Sequence, residues 1–289
     1  MLLQQIADEN KLALLHNEPV YGGDINKAWC LHTRTGRYFL KTNAANRVPL
    51  MFQKEAAGLA ALKRHSPVTV PRVMAYGTIN DVQYLLLEWL EKGVAAPGCM
   101  YEFGRHLAAL HRQKQAYFGW QEDNYIGNWP QINTAHQHWH AFYITCRLTP
   151  LAQYLFDTGA WTKSDLAALE ALGTRLEALF PPEPPALVHG DLWGGNFMIV
   201  QDGSAAIFDP AVYYGHREMD IGMTLLFGGF DAGFYQGYND EYPLQKDWRH
   251  RVSLTQLYPL LVHAVLFGGH YVSSARDIIR QYRQDITKT

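Results

Sequence analysis

The feature that most constrains the fold of this chain is a polar loop followed by a short apolar hairpin. The loop HGDLWGGN occupies residues 189–196, and the sequence IFDP follows at 207–210. The apolar segments on either side of a turn at 201–204 predict two short antiparallel strands. Such a hairpin would return Asp209 to the side of Asn196. The chain is therefore expected to fold so that acidic and amide side chains from both segments meet in one place.

The order of these polar groups is a carboxylate, an amide five residues later and a second carboxylate after the hairpin. In protein kinases this order places a base that accepts the proton of the acceptor hydroxyl, followed by two ligands of Mg²⁺. Asp191, Asn196 and Asp209 occupy the three positions. Turn formation is the alternative, because Asp and Asn are common in turns. Three ligand types at this spacing favour the active site, with Asp191 as the catalytic base and Asn196 and Asp209 as metal ligands.

Length and composition favour two lobes and a small substrate. With 289 residues, of which 48% are hydrophobic, the chain can form one large domain or two modest lobes with their own cores. We expect two lobes and a cleft: an N-terminal nucleotide-binding lobe at 1–90 and a C-terminal catalytic and substrate-binding lobe at 91–289. The net charge of −2 indicates neither a nucleic acid nor an anionic membrane as a partner.

The sequence contains no pattern typical of export or membrane insertion. The N-terminal segment predicts an amphipathic helix rather than a signal peptide, because it has no basic region followed by an apolar one. The longest apolar stretch, 257–267, is short and contains Pro259 and His263, so it does not predict a membrane span. Three widely spaced cysteines argue against a disulfide framework and against a zinc knuckle. We expect a cytoplasmic protein with reduced thiols, and we favour a monomer.

Three of the 13 histidines alternate within one short segment, at His136, His138 and His140. The pattern around them is helical, and residues two apart point to different sides of a helix. Packed or solvated imidazoles are therefore favoured over a metal site in this segment.

The N-terminal region predicts strands and a candidate phosphate site. Residues 20–41 have the pattern of three antiparallel strands, with breaks at Gly22-Gly23 and Gly36. Gly22 and Gly23 could present backbone N–H groups to phosphates, because no Cβ blocks close approach; an ordinary hairpin turn is the alternative. Lys41, at the end of the third strand, is the candidate phosphate-binding lysine. A solvated edge-strand lysine is the alternative reading.

A helix over residues 49–64 supplies an acidic partner for that lysine. Phe52 and Leu59 lie on one apolar stripe of this helix, and Glu55 interrupts the stripe. A carboxylate on an apolar face is costly unless it is paired. We therefore predict an ion pair between Glu55 and Lys41, as in the strand-lysine to helix-glutamate pair of protein kinases. A Glu55 that reaches solvent at the edge of the stripe is the alternative.

Two further strands, 71–76 and 82–89, complete a five-stranded antiparallel sheet with one helix across it. Glu88, Trp89 and Leu90 then form the connector, whose backbone binds the adenine edge in kinase-like folds. We predict an α+β, two-lobed, protein-kinase-like fold: an N-terminal five-stranded antiparallel sheet plus a helix, and a mostly α-helical C-terminal lobe. The predicted C-terminal helices are 100–112, 135–157, 163–180, 217–227, 248–267 and 273–282.

With these residues assembled, the chain resembles the fructosamine kinase (ketosamine 3-kinase) family, which is related to the aminoglycoside and choline kinases. HGDLWGGN followed by FDPA and YGHRE is specific to this family, whereas aminoglycoside kinases usually carry other residues after HGD. The matching segments cover nearly the whole chain in order. They are GGDINKAW (22–29), YFLK (38–41), FGWQEDNYIGNWPQ (118–131), HGDLWGGN (189–196) and FDPAVYYGHREMDIGMTLLFGGF (208–230).

The resemblance implies an activity and its cofactors. It implies ATP- and Mg²⁺-dependent phosphorylation of the sugar 3-hydroxyl of a ketoamine, the adduct of glucose or ribose with an amine. The phosphate labilises the adduct, so the family is associated with deglycation repair. Some relatives carry a redox-active cysteine in the nucleotide loop where this chain has Asp24. Thiol-switched dimerisation through that loop is therefore not expected.

The resemblance also implies roles for individual residues. Trp193 can lie over the apolar face of a sugar, with core packing as the alternative reading. Asp220 is expected to brace the catalytic loop, and His189 to be structural rather than catalytic. The residues expected to bind the nucleotide, directly or through a neighbour, are Gly22, Gly23, Lys41, Glu55, Glu88 and Leu90. The residues expected to contact the acceptor are Trp193, Tyr214, His216, Arg217 and Glu218.

Two other functions share much of this sequence pattern. An aminoglycoside or choline kinase would keep the machinery and change the acceptor, but such cationic acceptors favour pockets with several carboxylates. The segment after Asp209 instead offers aromatic residues, a histidine and an arginine beside one glutamate. A non-catalytic nucleotide-binding pseudokinase is the other alternative. It is disfavoured because Lys41, Asp191, Asn196 and Asp209 are all present.

Overall fold

The N-terminal part of the protein is built on one antiparallel sheet. The computed structural model describes residues 2–22 and 25–284. The sheet has five strands in the order β1-β2-β3-β5-β4. Its elements and the two helices that pack on it are α1 (Leu2–Glu9), β1 (Leu14–Val20), β2 (Lys27–Thr33), β3 (Gly36–Ala44), α2 (Met51–His65), β4 (Val73–Ile79) and β5 (Val82–Glu88).

The two faces of this sheet have different neighbours, because side chains alternate across a strand. One face carries Leu31, Leu40 and Leu86, which are buried against Ile6 of α1. The other face carries Lys41 and Phe39 and is directed toward α2 and the cleft. This alternation decides which residues of the sheet reach the functional site.

The C-terminal part is mostly helical and contains three short pairs of strands among its described residues. Strand pairs form between β6 and β7, β8 and β11, and β9 and β10. The elements are α3 (Cys99–His111), β6 (Asn124–Ile126), β7 (Trp129–Gln131), α4 (Trp139–Phe142), a π-helical turn (Tyr143–Leu148), α5 (Thr149–Asp157), α6 (Lys163–Gly173), α7 (Leu176–Leu179), β8 (Ala186–Val188), β9 (Phe197–Ile199), β10 (Ala205–Ile207), β11 (Tyr213–Gly215), α8 (Glu218–Leu226), α9 (Ala232–Glu241), α10 (Trp248–Phe267) and α11 (His270–Gln284).

The predicted fold class is confirmed, and the differences lie in the details of single elements. The first helix ends at Glu9, and β1 begins at Leu14 rather than at Val20. This strand is at the edge of the sheet and largely exposed, so it lacks the apolar alternation that predicts a strand. The helix predicted from residue 135 begins at Trp139, so His136 and His138 precede it. Helix α9 was not predicted.

The hydrophobic core is not divided at the predicted lobe boundary. One cluster of buried side chains joins Phe52 and Leu59 of α2 to Leu107 of α3 and Ile207 of β10. A second cluster lies among the C-terminal helices. The division at residues 90 and 91 therefore stays a prediction. Among the described helices, none is both long enough and apolar enough to cross a bilayer.

Candidate active site

The loop at 189–196 has a rigid backbone that is fixed by one buried carboxylate. Asp220, on α8, accepts hydrogen bonds from the backbone N–H of His189 at 2.7 Å and of Gly190 at 2.9 Å. Gly190 has a φ of 83°, and a Cβ at this position would lie 2.1 Å from the carbonyl oxygen of Ala211. Only glycine fits there without moving the backbone. The prediction that Asp220 braces this loop is confirmed.

Two buried histidines extend this support. His111 of α3 donates from Nε2 to Asp220 at 3.1 Å, and its Nδ1 lies 2.7 Å from the hydroxyl of Tyr238. His189 donates from Nε2 to the carbonyl of Phe208 at 3.0 Å and accepts the N–H of Asp191 on Nδ1 at 3.3 Å. Burial lowers the pKa of His189, which agrees with a neutral, structural imidazole. His189 thus ties the loop to the hairpin, which agrees with the structural role expected for it.

The β9–β10 hairpin returns the chain to the loop as the sequence predicts. Its two strands pair antiparallel, and the N–H of Phe208 donates to the carbonyl of Asn196 at 3.1 Å. Asp209 follows with a φ of 57°, in the left-handed region that Asp tolerates better than most residues. The carboxylate of Asp209 and the amide of Asn196 both line the same cleft.

Lys41 lies between two carboxylates at the centre of the site. Its Nζ is 2.8 Å from Oε1 of Glu55 and 2.6 Å from Oδ1 of Asp209. The Lys41 and Glu55 side chains are buried, whereas Asp209 is 39% exposed toward the cleft. Burial alone would lower the pKa of Lys41, but the charges of Asp209 and Glu55 raise it above its ordinary value. The predicted Lys41–Glu55 pair is confirmed, and Glu55 would act on a nucleotide through Lys41.

Asp191 and Asn196 are held together inside the loop. The Asn196 amide donates from Nδ2 to the carbonyl of Asp191 at 2.8 Å and to its Oδ2 at 2.9 Å. Burial raises the pKa of Asp191 to about 7; the hydrogen bond from Asn196 opposes this rise, and the charges of Asp209 and Asp220 add to it. A carboxylate with a pKa near neutrality suits a general base.

The oxygen atoms of Asp209 and Asn196 that accept no hydrogen bond from the described residues fit a hard divalent cation. Lys41 donates a hydrogen bond to Oδ1 of Asp209, and Nδ2 of Asn196 donates one to Asp191. In the described part of the chain, no donor is found for Oδ2 of Asp209 or for Oδ1 of Asn196. Mg²⁺ prefers carboxylate and amide oxygens together with phosphate oxygens and water. The residues present therefore fit the predicted metal.

These groups line a cleft of about 910 Å³ that the sheet, the connector and the C-terminal part enclose together. This volume is within the range of small-molecule sites. Val20, Ala28 and Phe39 form its roof, and Glu88 and Leu90 line the connector side. The Glu88 side chain is turned toward the backbone N–H of Arg72, from which it accepts a hydrogen bond at 2.8 Å. Any contact of Glu88 with an adenine is therefore expected from its backbone.

The glycine turn is only partly within the described residues. Gly22 lines the cleft and has a φ of 127°, a conformation that favours glycine. Gly23 and Asp24, which were predicted as part of the nucleotide loop, lie outside the described residues. The phosphate-binding role of the turn stays a prediction.

Trp193 lies at the far end of the cleft from the connector. Its ring covers Gly195, where a Cβ would come within 2.3 Å of the indole. It meets Phe227 edge-on at a centroid distance of 5.8 Å, and Phe227 meets His263 at 4.9 Å. The cleft continues along Phe267 and Tyr271. The structure thus forms an aromatic end to the cleft beside Asp191.

Four residues of this aromatic end were not predicted, namely Phe227, His263, Phe267 and Tyr271. A signal was present in the sequence, since His263 interrupts the longest apolar stretch just as Glu55 interrupts an apolar helix face. His263 and Phe267 are also one helical turn apart, so they share a face of α10. Burial lowers the pKa of His263 and favours its neutral form.

Pro210 and Ala211 line the cleft, but residues 214–218 do not, contrary to the prediction. His216 is fully buried against Trp139 and Phe180. Tyr214 stacks on Trp120 at 5.8 Å. The cause is β11, which pairs with β8 and directs this segment away from the cleft and into the C-terminal core.

The two charged residues of the same segment are buried in ion pairs. Arg217 is 1% exposed and binds both carboxylate oxygens of Glu183 at 2.8 Å. Glu218 is paired with Arg251 at 2.6 Å. The charges of Arg217 and Glu218 are each compensated by one buried partner. None of Tyr214, His216, Arg217 and Glu218 lines the cleft, so the geometry does not support the acceptor contacts predicted for them.

Comparison with known proteins gives matches over almost the whole chain. The family model described as fructosamine kinase matches residues 2–285. A Synechocystis sp. protein named probable ketoamine kinase is 42% identical over 264 residues, which is 91% of this chain and 88% of that protein. A protein-ribulosamine 3-kinase of Oryza sativa subsp. indica, a chloroplastic protein, is 36% identical over 90% of this chain and 77% of its own length.

Solved structures agree with these matches. A structure from Thermobifida fusca described as a fructosamine-3-kinase superposes with a TM-score of 0.87 at 33% identity, covering 97% of this chain and 98% of that chain. The aminoglycoside phosphotransferase APH(4)-Ia, solved with ADP and hygromycin B, superposes with a TM-score of 0.63 at 15% identity, covering 96% of this chain and 97% of that chain. The second similarity concerns the fold alone.

Proposed function

The chain belongs to the fructosamine kinase family, and on that premise we propose that it transfers the γ-phosphoryl group of ATP to the 3-hydroxyl of a ketoamine. The acceptor is the adduct that glucose or ribose forms with an amine, as a fructosamine or ribulosamine. Phosphorylation at this position labilises the adduct, so the reaction is a step of deglycation repair.

The observation that carries this proposal is the composition of the two ends of the cleft. At the catalytic end, Lys41, Asp191, Asn196 and Asp209 converge from distant parts of the sequence. At the aromatic end, the described lining residues include no carboxylate beyond those of the catalytic set, which fits a stacked sugar better than a polycationic aminoglycoside. It is therefore the aromatic end, and not the segment after Asp209, that disfavours a cationic acceptor.

Nucleotide binding would rearrange the ion pairs around Lys41. In the structure Lys41 donates to both Glu55 and Asp209. A bound triphosphate would compete with Asp209 for the ammonium group, while Glu55 would keep the lysine aimed into the cleft. The oxygens of Asp209 and Asn196 would then be available to a metal. Mg²⁺ bound there would neutralise part of the charge of the phosphates and thereby favour transfer of the γ-phosphoryl group.

Asp191 would supply the base of the reaction. Its carboxylate accepts the proton of the 3-hydroxyl while the hydroxyl oxygen forms a bond to the γ-phosphorus. The bond between that phosphorus and the bridging oxygen of ADP breaks, and ADP leaves with the bonding electrons. Asn196 holds the carboxylate from behind through its Nδ2, so one carboxylate oxygen remains free to face the acceptor.

Trp193 would position the sugar for this step. Its indole is fixed over Gly195 and against Phe227, so little freedom is lost when a sugar ring or chain packs on it. The remaining aromatic residues would then contact the amine portion of the ketoamine. A cytoplasmic location and a monomeric state remain expectations from the sequence.

The test is an ATP-consumption assay with the purified protein against a ribulosamine, a fructosamine, an aminoglycoside and choline, in the presence of Mg²⁺. We expect turnover with one or both ketoamines and none with choline. The product should carry phosphate on the 3-oxygen by NMR. Turnover with only an aminoglycoside or choline would refute the substrate proposal and leave the fold assignment intact.

A matched pair of variants separates the chemistry from the fold. Asp191→Asn keeps the hydrogen bond from Asn196 and removes the base, so turnover should fall while nucleotide binding is kept. Asp202→Asn, on the exposed turn of the same hairpin, should leave turnover unchanged. Equal activity of both variants would exclude Asp191 as the base.

A further inference from the structure

A second group of polar side chains lies on the sheet, next to Val20 and Ala28 of the cleft roof and on the same face. His16 and Glu18 are on β1, and Cys30 and His32 are on β2. In the register of these strands, Glu18 is opposite Cys30 and His16 is opposite His32. Residues two apart on a strand share a face, so all four side chains are on the same side of the sheet. We refer to them as the β1–β2 cluster.

Ligand atoms of His16, Glu18 and His32 are already close together, and Cys30 lies next to His32. His16 Nε2 lies 3.3 Å from Oε1 of Glu18, and His32 Nε2 lies 3.5 Å from the same oxygen. Sγ of Cys30 lies 3.5 Å from Nε2 of His32. Ligand atoms of the two histidines and the glutamate all lie within 4.8 Å of one another. The two imidazole rings are stacked at 3.9 Å with an interplanar angle of 16°.

These distances match the edges of a tetrahedral metal site. Zinc is bound at about 2.0–2.3 Å by nitrogen, oxygen and sulfur, so neighbouring ligand atoms in a tetrahedron lie about 3.3–3.6 Å apart. Three ligand–ligand distances in the cluster fall in this range. Two imidazoles, one carboxylate and one thiol also form a donor set that favours zinc or a similar transition metal over Mg²⁺ or Ca²⁺.

The surroundings agree with a site that a metal can reach. His16 and Glu18 have side chains that are 57% and 62% exposed, whereas Cys30 is buried and forms no disulfide. The neighbouring cation on β3, Arg37, is paired with Glu91 and lies over the ring of Trp89 at 5.5 Å. Its charge is therefore already compensated by Glu91.

From this geometry we propose that the β1–β2 cluster is a binding site for one Zn²⁺ or a similar thiophilic divalent ion. The ligands are His16, Glu18, Cys30 and His32, and on binding the Cys30 thiol loses its proton to the solvent to become a thiolate. The site is separate from the Mg²⁺ ligands of the catalytic cleft. It would cross-link β1 to β2, the two strands that flank the glycine turn above the cleft.

The test is a titration of the full chain with Zn²⁺ in competition with a chromogenic zinc chelator, at saturating Mg²⁺. We expect one Zn²⁺ per chain, and at least about a tenfold loss of affinity in His16→Gln and in His32→Gln, because even a partner outside the coordination sphere costs about 10- to 100-fold. The exposed side chain of His16 makes unfolding of that variant unexpected, and circular dichroism checks it. Zinc should also raise the unfolding temperature of the unmodified protein but not that of His16→Gln.

The matched control is the double variant His138→Gln with His140→Gln. These imidazoles are also stacked, at 5.5 Å, but they lie at the start of α4, outside the β1–β2 cluster. This variant should keep the affinity of the unmodified protein. Equal Zn²⁺ affinity in the unmodified protein, His16→Gln and His32→Gln would overturn the proposal. A Co²⁺-loaded protein without a thiolate charge-transfer band would remove Cys30 from the ligand set.

Discussion

The replacement Asp191→Asn should weaken activity and at the same time stabilise the protein at alkaline pH. The two side chains have nearly the same shape, and the amide oxygen can still accept the hydrogen bond that Asn196 now donates at 2.9 Å. What changes is the charge. A positioned base contributes about 10²- to 10⁴-fold, so kcat should fall by at least about 100-fold.

The size of the stability change follows from the pKa of Asp191. Burial first, and the nearby acidic charges second, raise this pKa from an ordinary value of 3.8 to about 7. At about 1.4 kcal/mol per pH unit, keeping Asp191 ionised costs the fold on the order of 4 kcal/mol at most. Solvent in the open cleft reduces this figure. We therefore expect a gain in unfolding free energy of at least about 1 kcal/mol for the variant at pH 8.

The size of this stability gain depends on pH. Between about pH 4 and 7 the folded protein holds a proton on Asp191 that the unfolded chain releases, so the unmodified protein loses stability as the pH rises through this window. Above about pH 7 both states are ionised, and the full cost is present. The advantage of Asp191→Asn should therefore grow from pH 5 to pH 8 and then remain constant.

The assay is denaturant unfolding of the nucleotide-free protein and of Asp191→Asn at pH 5 and pH 8, together with the dependence of kcat/KM for ATP on pH. Because the pKa of Asp191 is about 7, the unmodified protein should lose activity below about pH 7, where this base becomes protonated. The residual activity of the variant should lack this decline. A variant that is equally or less stable at pH 8, or that shows the same acidic decline, would refute the reasoning.

Four further outcomes are expected. Lys41→Met should weaken ATP binding by about 10- to 100-fold, measured by calorimetry, because a charged hydrogen bond to phosphate is lost. Asp220→Asn should lower kcat with little change in the KM for ATP, because its amide group leaves one backbone N–H of the loop unpaired. Trp193→Leu should raise the KM for the ketoamine by about 3- to 10-fold, since aromatic contact is worth about 0.5–1.5 kcal/mol; Trp129→Leu is the control. Tyr214→Phe should change neither KM by more than about twofold; a large rise in the acceptor KM would restore Tyr214 to the acceptor site.

Much of the catalytic site could be predicted because its residues carry local signals. Glu55 on an apolar helix face required a counter-charge, and Lys41 is the cation that the structure places 2.8 Å away. The apolar segments after Asn196 predicted the hairpin that returns Asp209. The hairpin follows from short-range periodicity, and the ion pair follows from the cost of burying an unpaired charge. Each of these signals lies within one strand or one helix of the sequence.

The acceptor end could not be predicted in the same way. Closeness in sequence to Asp209 suggested Tyr214, His216, Arg217 and Glu218 as acceptor contacts, but the pairing of β11 with β8 directs them away from the cleft. The aromatic end instead combines Trp193 with Phe227 at the end of α8 and with residues of α10 and α11 that lie far along the chain.

The sequence by itself determined most strands of the sheet, the fold class and the polar catalytic set; the exposed edge strand β1 was the exception. Tertiary packing decided which side chains face the acceptor and which are locked in buried ion pairs, such as Arg217 with Glu183. It also decided that two histidines, a glutamate and a cysteine meet on adjacent strands. The physical reason is that periodicity fixes which face of its own element a side chain occupies. Only strand register and helix packing fix what lies opposite that face.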